Sequence, residues 1–418
     1  MKHSKYMVKA AGGRKSRARA SADGFTLIEL LVSITFLVIL MLVVTQVMGI
    51  VQRTWVRSNS RVSQFREARK AFDLLSSNLS QATLNTYWAS DLKTLNNDAL
   101  GQAIQTPDGF KRQSELHFIC GPTTEILTGA TMAQFPGHAV FFQAPLGVVR
   151  TDASAVNAAA AGTATTVADM ANLTNLICGR GYFVELDSDA YFRPSFLNSA
   201  PYSTLVPTRT RLRLMEYSPT ADANRIYDSN YRSNPSNIRQ WYQNTESGAL
   251  ANDVRSAKVN GTENDATFGR FFTRPIAENI LALVISPQTE NTSTTGTASS
   301  DVYQIAPDYT YDSSQLGPAV SGTAPQGTQH LLPPLLKVTM IALDERSGEY
   351  LASTTNTAQL TQLMTDVGGL FKSASRYTQD LEGTPETPGA LRQMLLAAKL
   401  NYRVFTTTIA LRQARWSF

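Results

Sequence analysis

The sequence of 418 residues has little of what most enzymes and metal proteins are built from. It contains four histidines and two cysteines, and none of them follows a metal-binding spacing such as CxxC or HExxH. The GxSxG, Walker-type GxxxxGK[ST] and GxGxxG motifs are also missing. The sequence therefore predicts a protein that is not an enzyme and that uses no cofactor.

Most of the chain also carries almost no net charge. The formal net charge is +5, but residues 1–24 hold seven Lys or Arg and one acid, so the remaining residues together carry −1. A basic surface of the kind that binds nucleic acid is not indicated, and we do not expect nucleic acid as a partner. The apolar fraction of 43% is too high for a wholly disordered chain.

Two pairs of residues leave alternatives open. Cys120 and Cys178 invite a disulfide if their domain is exported, where a bridge and two free thiols both stay open, and two buried thiols would be equally ordinary in the cytosol. Asp187 and Asp189 stand at the end of a predicted strand, where clustered oxygens suit Ca²⁺. Two carboxylates at a turn are more often solvated loop residues, so we predict no metal site and keep this pair as a weak calcium candidate.

A long apolar run follows the basic leader. From Phe25 to Val51 the single ionisable side chain is Glu29. The run exceeds the roughly 20 residues that cross a hydrocarbon core of about 30 Å. It is also too long for a cleaved secretory signal, and Gln52 and Arg53 follow it instead of small residues. The sequence predicts a single-pass membrane protein, and the charge of the leader favours a cytoplasmic N-terminus.

The carboxylate inside this run needs a partner, because a charged side chain at the centre of a membrane helix costs about 2.5–3.5 kcal/mol on insertion scales. A cut between Gly24 and Phe25 would create an amine one helical turn from Glu29. A neighbouring helix, displaced along a filament axis, would then set its own Phe25 amine against this Glu29. That pairing would offset the cost of desolvation and fix the axial register of the two helices.

The segment from Gly24 to Ser33, GFTLIELLVS, resembles the processing site of type IV prepilins and type II secretion pseudopilins. In that family a membrane peptidase cleaves after the Gly and N-methylates the Phe, and the Glu guides assembly. The resemblance implies these roles for Gly24, Phe25 and Glu29. It also implies prepilin peptidase, other pilin or pseudopilin subunits and inner-membrane lipid as partners, with the C-terminal domain on the periplasmic side. The 24-residue leader is long for the family, and Gln46 stands where many pilins have a kinking Pro.

Beyond the span, apolar residues continue at spacings of three and four residues, which predicts an amphipathic helix. They are Phe65, Ala68, Phe72, Leu75, Leu79 and Ala82. Strand-like runs follow at Leu116–Cys120, Ala139–Gln143, Gly181–Asp187, Thr210–Tyr217, Ile280–Ile285, Leu336–Asp344 and Tyr402–Leu411, with helical candidates at Thr357–Phe371 and Pro388–Leu400. Three polar inserts, at Thr151–Asn172, Pro287–Ser300 and Ser313–Gln329, have the composition of disordered loops.

We therefore predict an α+β protein with one long N-terminal helix packed on an antiparallel β-sheet domain. The predicted segments are a basic leader (1–24), a transmembrane helix (25–52), its amphipathic extension (53–85) and an exported β-rich domain (86–418). The succession Pro275–Leu283, Leu332–Met340 and Phe405–Arg412 is similar to the strands of the J-type minor pseudopilin. Residues Leu79–Trp88 (LSQATLNTYW) are similar to the Verru_Chthon cassette protein C group. Large inserts would crowd a repeating shaft, which favours a minor position near the filament tip.

The stretch between Tyr182 and Tyr242 mixes aromatic residues with arginines. The arginines are Arg193, Arg209, Arg211, Arg213, Arg225, Arg232 and Arg239. Such a mixture can bind single-stranded nucleic acid or sugars, and the alternative function is then a filament-tip binding module, either an adhesin or a DNA-uptake minor pilin. The favoured interpretation is structural, with Arg209, Arg211 and Arg213 on an exposed strand face because they have a period of two.

Overall fold

The structure is a computed structural model that describes residues 26–97, 102–147, 176–191, 193–219, 226, 239, 241–243, 273–289, 303–318, 326–353 and 356–414. The chain divides into two compact units, Met1–Asn59 and Ser60–Phe418. One long helix, α1 (Leu27–Leu79), contributes residues to both units. The predicted long N-terminal helix is confirmed, but it ends at Leu79 and not near residue 85.

The shorter helices all belong to the second unit. They are α2 (Thr123–Ile126), α3 (Tyr202–Leu205), α4 (Glu345–Ala352), α5 (Thr357–Gly369), α6 (Tyr377–Asp380) and α7 (Ala390–Ala397). The helices α5 and α7 confirm the two helical candidates. Helix α7 is capped by Gly389 and begins at Ala390, so Pro388 does not occupy its first turn.

Within the described ranges, the strands form three antiparallel sheets. They are β1 (Tyr87–Asn97), β2 (Ala103–Gln113), β3 (Ile119–Pro122), β4 (His138–Ala144), β5 (Cys178–Ser188), β6 (Thr210–Tyr217), β7 (Thr273–Glu278), β8 (Ile280–Gln288), β9 (Tyr311–Asp312), β10 (Leu335–Leu343) and β11 (Tyr402–Ala410). The large sheet has the order β7-β6-β5-β4-β3-β9, the small sheet has the order β11-β10-β8, and β1 and β2 pair with each other. This arrangement confirms the α+β class and the antiparallel sheets.

The core of the second unit lies where the small sheet packs on the middle strands of the large one. Strand β8 contacts β4, β5 and β6, and every one of its residues is buried. Its continuous apolar sequence, ILALVIS, is typical of a strand that is covered on both faces. Strand β11 alternates instead, with Phe405 and Ile409 buried, as expected for a strand that has one solvated face.

The longest elements that were not predicted are the β1–β2 pair and helix α4. Strands β1 and β2 contain Asp, Lys, Asn, Pro and Gly, which are depleted in strands, so their composition hid them. Helix α4 directly follows β10 and is capped by Asp344, whose side chain accepts a hydrogen bond from the Ser347 N–H. The sequence had assigned Asp344 to the preceding strand.

Parts of two predicted loops are in fact ordered. Pro287 and Gln288 complete strand β8, where they pair with Leu336 and Leu335. Ser313 is buried, and its backbone N–H donates to the Phe118 carbonyl. Those residues are held by backbone pairing, which composition does not reveal. The insert Thr151–Asn172 and the remaining parts of the other two inserts, 290–300 and 319–325, lie outside the described residues.

Candidate functional site

The first turn of α1 holds the candidate assembly residue. Gly24 and Phe25 lie outside the described residues, and Thr26 precedes the helix. The Thr26 hydroxyl oxygen lies 3.3 Å from the Glu29 backbone N–H that it can accept from, and the Thr26 backbone N–H lies 3.4 Å from Glu29 Oε2. The two residues thus form a reciprocal capping box, in which each side chain meets the other residue's backbone. The carboxylate stands beside the helix N-terminus, where negative charge is stabilised.

The following turns of α1 are apolar on all sides. Residues Leu27–Val56 belong to a helix that is long and apolar enough to cross a membrane, and its most apolar part is not buried within the chain. A helix that is apolar all round requires an apolar environment. Ser33, Thr35 and Thr45 do not interrupt this surface, because their hydroxyls donate to backbone carbonyls one turn earlier.

The later turns of α1, in the second unit, pack on both sheets. Ala68, Phe72, Leu75 and Leu79 are buried, and so is Ala82, which lies three residues beyond the end of α1. The predicted apolar stripe is therefore confirmed, although the helix ends before its last member. The sixth member of that stripe, Phe65, is partly buried against the same core. The Phe72 ring lies 6.0 Å from the Phe405 ring of the small sheet.

A polar chain fixes the same end of the helix on the large sheet. Asn78 Nδ2 donates to the Tyr182 hydroxyl at 2.7 Å, and that hydroxyl donates to Glu216 at 2.8 Å. Arg274 then closes the chain by donating to the second oxygen of the same carboxylate at 2.9 Å. Tyr182 and Glu216 are buried, whereas the Arg274 side chain is largely exposed. Because the buried hydroxyl and carboxylate are both hydrogen-bonded, the chain can fix the helix on the sheet without leaving either group unsatisfied.

The arginine-rich stretch does not form the exposed strand face that was predicted. Arg209 is exposed, but Arg211 and Arg213 are 5% and 2% exposed. Arg211 pairs with Glu345 at 2.5 Å, and Arg213 pairs with Glu278 at 3.2 Å. The covering acids come from α4 and from β7, the strand that pairs with β6, so elements far apart in sequence bury this face.

Two other arginines of the stretch are also engaged. Arg193 donates to the carbonyls of Leu197 and Val206, and Arg239 donates to Asp312. Arg225 and Arg232 lie outside the described residues. Within the part of the stretch that the structure describes, four of the five arginines therefore serve internal contacts, which leaves little basic surface for a nucleic acid or a sugar.

The two cysteines occupy different strands of the large sheet. Cys120 lies on β3 and Cys178 on β5, and β4 runs between them and pairs with both. Two strand spacings amount to about 10 Å, beyond the roughly 7 Å that a disulfide spans between Cα atoms. Both side chains are buried and no disulfide joins them. A bridge would require the strands to be repacked.

Asp187 and Asp189, the calcium candidates, accept hydrogen bonds from backbone N–H groups. Asp187 Oδ1 accepts from the Ser188 N–H at 2.6 Å, and Asp189 Oδ1 accepts from the Arg209 N–H at 2.9 Å. Among the residues that the structure describes, no group of three or more His, Cys, Asp or Glu side chains is arranged to hold a metal ion. The geometry gives this pair a structural task between β5 and β6.

A buried polar cluster that the sequence did not predict lies at the β9 edge of the large sheet. His117 Nε2 donates to Asp312 Oδ1 at 2.8 Å, while His117 Nδ1 accepts from the Trp241 indole N–H at 3.3 Å. Burial alone would raise the pKa of the Asp312 carboxyl, but its interactions with His117, Ser314 and Arg239 outweigh burial and hold that pKa well below the ordinary range. His117 and Asp312 are 195 residues apart in sequence, so no local pattern joins them.

A second buried histidine, His138, faces a cavity of about 290 Å³. Glu125, Asp308 and Lys372 also line the cavity. Both ring nitrogens of His138 are engaged, since Nδ1 accepts from the Ile285 N–H at 3.1 Å and Nε2 lies 3.4 Å from the Phe371 carbonyl. The ring therefore links the two sheets and is not free to accept a proton from a ligand in the cavity.

No protein-family model, no curated protein and no solved structure matches this chain. The resemblance of the segment from Gly24 to Ser33 to prepilin processing sites consequently stays a prediction from the motif. The described structure adds the environment of Glu29 and the two contrasting halves of α1.

Proposed function

We propose that this chain is a prepilin-like structural subunit. Prepilin peptidase cleaves it after Gly24 and methylates Phe25, and α1 then assembles it into a type II secretion pseudopilus or a type IV pilus-like filament. The observation that carries this proposal is the position of Glu29, the one ionisable side chain between Leu27 and Gln52, in the first turn of an exposed apolar helix. The processing motif stands directly before it.

The two halves of α1 support a subunit that first waits in a membrane and then joins other helices. The apolar first half is exposed on all sides, so lipid or neighbouring helices can cover it equally well. The second half is fixed to the globular domain by Phe72, Leu75 and Leu79. A helix held at one end and open to apolar partners at the other can transfer from lipid into a bundle without refolding its domain.

The capping box supports a register role for Glu29. In a lone subunit the carboxylate is partly satisfied by the Thr26 backbone N–H and hydroxyl. The amine of a cleaved neighbour would be a stronger, charge-assisted partner in a low-dielectric environment. The subunit therefore tolerates lipid before assembly and gains a specific contact afterwards. The size of the second unit favours a minor position near the tip of the filament.

Co-expression with prepilin peptidase tests the processing step. The intact mass should fall by the mass of residues 1–24, apart from the added methyl group, and the chain should begin with N-methylated Phe25. Gly24→Leu is the control, because it leaves the span unchanged while removing the small residue at the cleavage site. A wild-type chain that still begins at Met1 beside an active peptidase would contradict the proposal.

A further inference from the structure

Strands β1 and β2 form a separate two-stranded ribbon, hereafter the β1–β2 ribbon. They pair over their whole length, from Tyr87 with Gln113 to Asn97 with Ala103. The base is fastened to the segment at 326–327, where Arg112 donates through its guanidinium to the Gly327 carbonyl at 2.5 Å. An isolated two-stranded ribbon is marginally stable in water and needs a packed face for stability.

The two faces of the β1–β2 ribbon differ in chemistry. The register places Trp88, Phe110, Leu92 and Pro107 on one face, which we call the apolar ribbon face. The same face also carries the uncharged polar residues Ser90, Thr94 and Gln105, and at its base Arg112, which is buried and donates to the Gly327 carbonyl. The opposite face carries Tyr87, Ala89, Asp91, Lys93, Lys111 and Gln113. Contacts on this polar face agree with the assignment, since Lys111 pairs with Asp91 at 2.9 Å and the Tyr87 hydroxyl reaches Gln113.

The apolar ribbon face is open to solvent within this chain. Trp88, Phe110 and Leu92 are 63%, 73% and 51% exposed. Three large apolar side chains on one side of a thin ribbon are unlike the scattered apolar residues of an ordinary protein surface. They predict that something apolar covers this face when the protein is in its working environment.

The edges of the β1–β2 ribbon oppose pairing with another strand. Pro107 lacks an N–H on β2, and register shifts between Asp91 and Leu92 and between Thr94 and Asn96 interrupt the ladder. Gln326 occupies the base of the β2 edge, because its side-chain amide accepts from the Arg112 N–H and donates to the Arg112 carbonyl. The partner is therefore expected on the face of the ribbon and not along its edge.

The size of the face distinguishes a protein partner from a lipid one. Eleven residues per strand make a face about 35 Å long and 10 Å wide, roughly 350 Å², against the 800 Å² or so that each partner contributes to a stable interface. A bilayer to which the chain is already tethered needs far less contact area, since tethering makes the second contact intramolecular.

We propose that the apolar ribbon face rests on the surface of the bilayer that holds α1. Segments that lie at the boundary between headgroups and acyl chains typically carry Trp, Phe and Leu on one face and Lys on the other, as this ribbon does. The proposal depends on the membrane span Leu27–Val56 and not on cleavage at Gly24, so it stands or falls independently of filament assembly.

The depth and the lipid preference of this contact follow from the same residues. The open strand edges keep their backbone groups in the headgroup region, since unpaired N–H and C=O groups are excluded from hydrocarbon. Only the side chains of Trp88, Phe110 and Leu92 enter the acyl boundary. The two strands carry three basic and two acidic residues, so uncharged phosphatidylcholine is a sufficient surface.

Spin labels at adjacent positions test the proposal in the full chain reconstituted into phosphatidylcholine vesicles. Phe110→Cys places a label on the apolar ribbon face, Lys111→Cys places one on the polar face, and Val43→Cys places one in the span. The unsubstituted protein, whose own cysteines are buried, gives the labelling background. Power saturation should find the label at 110 more accessible to oxygen than to a water-soluble nickel chelate, and the label at 111 the reverse.

Three results would overturn the proposal, each for a different reason. If the labels at positions 110 and 111 are equally accessible to the nickel chelate while the label at position 43 lies in lipid, the ribbon is in water and does not contact the bilayer. If the label at position 110 is shielded from both reagents, and its spectrum shows spin–spin broadening that disappears on dilution with unlabelled protein, a second copy of the chain covers this face. If the label at position 43 is in water, α1 does not span the bilayer, and the ribbon contact loses the anchor on which it depends.

Discussion

His138 is the residue at which burial has the clearest chemical consequence. Its ring is 2% exposed and lies between the two sheets, where it contacts the backbone of Ile285 and of Phe371. Burial lowers the pKa of this imidazole from 6.5 to about 4, although its contacts with the two backbone groups act in the opposite direction. The folded protein therefore keeps His138 neutral at a pH at which the unfolded chain would protonate it.

The sign of the resulting pH dependence follows from this lowered pKa. Above about pH 6.5 neither state is protonated at His138, and its contribution to stability is complete. As the pH falls from 6.5 to about 4 the unfolded state alone takes up the proton, so the free energy of unfolding decreases, by about 3 kcal/mol in all.

Comparison of the wild type with His138→Asn checks this dependence. Asn can accept and donate hydrogen bonds but does not titrate, so the variant should be less stable at pH 7 and lose about 3 kcal/mol less than the wild type between pH 7 and pH 4. Guanidinium denaturation of the full chain in detergent at several pH values measures both profiles. The acidic residues titrate alike in the two proteins, and parallel profiles would contradict the role given to His138.

At the scale of elements, α1 provides neighbouring leucines with opposite environments. Leu75 is 0% exposed against the sheets, whereas Leu74 is 43% exposed. Leu75→Ala should lower the free energy of unfolding by about 2–5 kcal/mol, because it removes buried methyl groups and leaves a cavity. Leu74→Ala, the same substitution one position earlier, should cost less than about 1 kcal/mol.

Denaturant midpoints of the full chain in detergent measure the two substitutions. The helix propensity lost on replacing Leu by Ala is small and is shared by both variants, so the difference between them reports packing alone. Equal losses would mean that this half of α1 is not packed as the structure has it.

The same elements show what the sequence could and could not reveal. The stripe from Phe65 to Ala82 and most strands were predicted because apolar residues recur along them at the period of a helix or a strand. The β1–β2 ribbon was missed because it is stabilised by cross-strand pairing, in spite of its Pro, Gly and Asp residues.

The buried arginines were missed for a different reason. Arg211 and Arg213 have the period of an exposed strand face, but acids from β7 and α4, far along the chain, neutralise and cover them. Likewise, no residue pattern near His117 in the sequence indicates that Asp312 is its hydrogen-bond partner. Partners supplied by distant segments set the environment of these residues, and local patterns carry no information on them.

At the scale of the whole molecule, the chain joins two units with opposite surfaces. The first exposes apolar side chains from Leu27 to Val56, while the second buries its apolar residues between two sheets. The second unit therefore obtains its stability internally, whereas the first depends on lipid or on other helices to cover it. In the proposed assembly Glu29 is the group that makes this dependence specific, and a substitution by Gln removes its charge while keeping its capacity for hydrogen bonds.

Glu29→Gln separates the two roles of this residue. Gln occupies the third position of a capping box as well as Glu does, so helix α1, membrane insertion and cleavage after Gly24 should be retained. Without the charge, the neighbour's amine would lack its counter-ion, and recovery of the chain in sheared filaments should fall at least about tenfold, since losing one partner of a buried charge pair costs about 2–5 kcal/mol. Ser33→Ala, one turn further along the same helix and without a change of charge, is the matched control. Undiminished incorporation of a processed Glu29→Gln chain would mean that apolar packing alone sets the register.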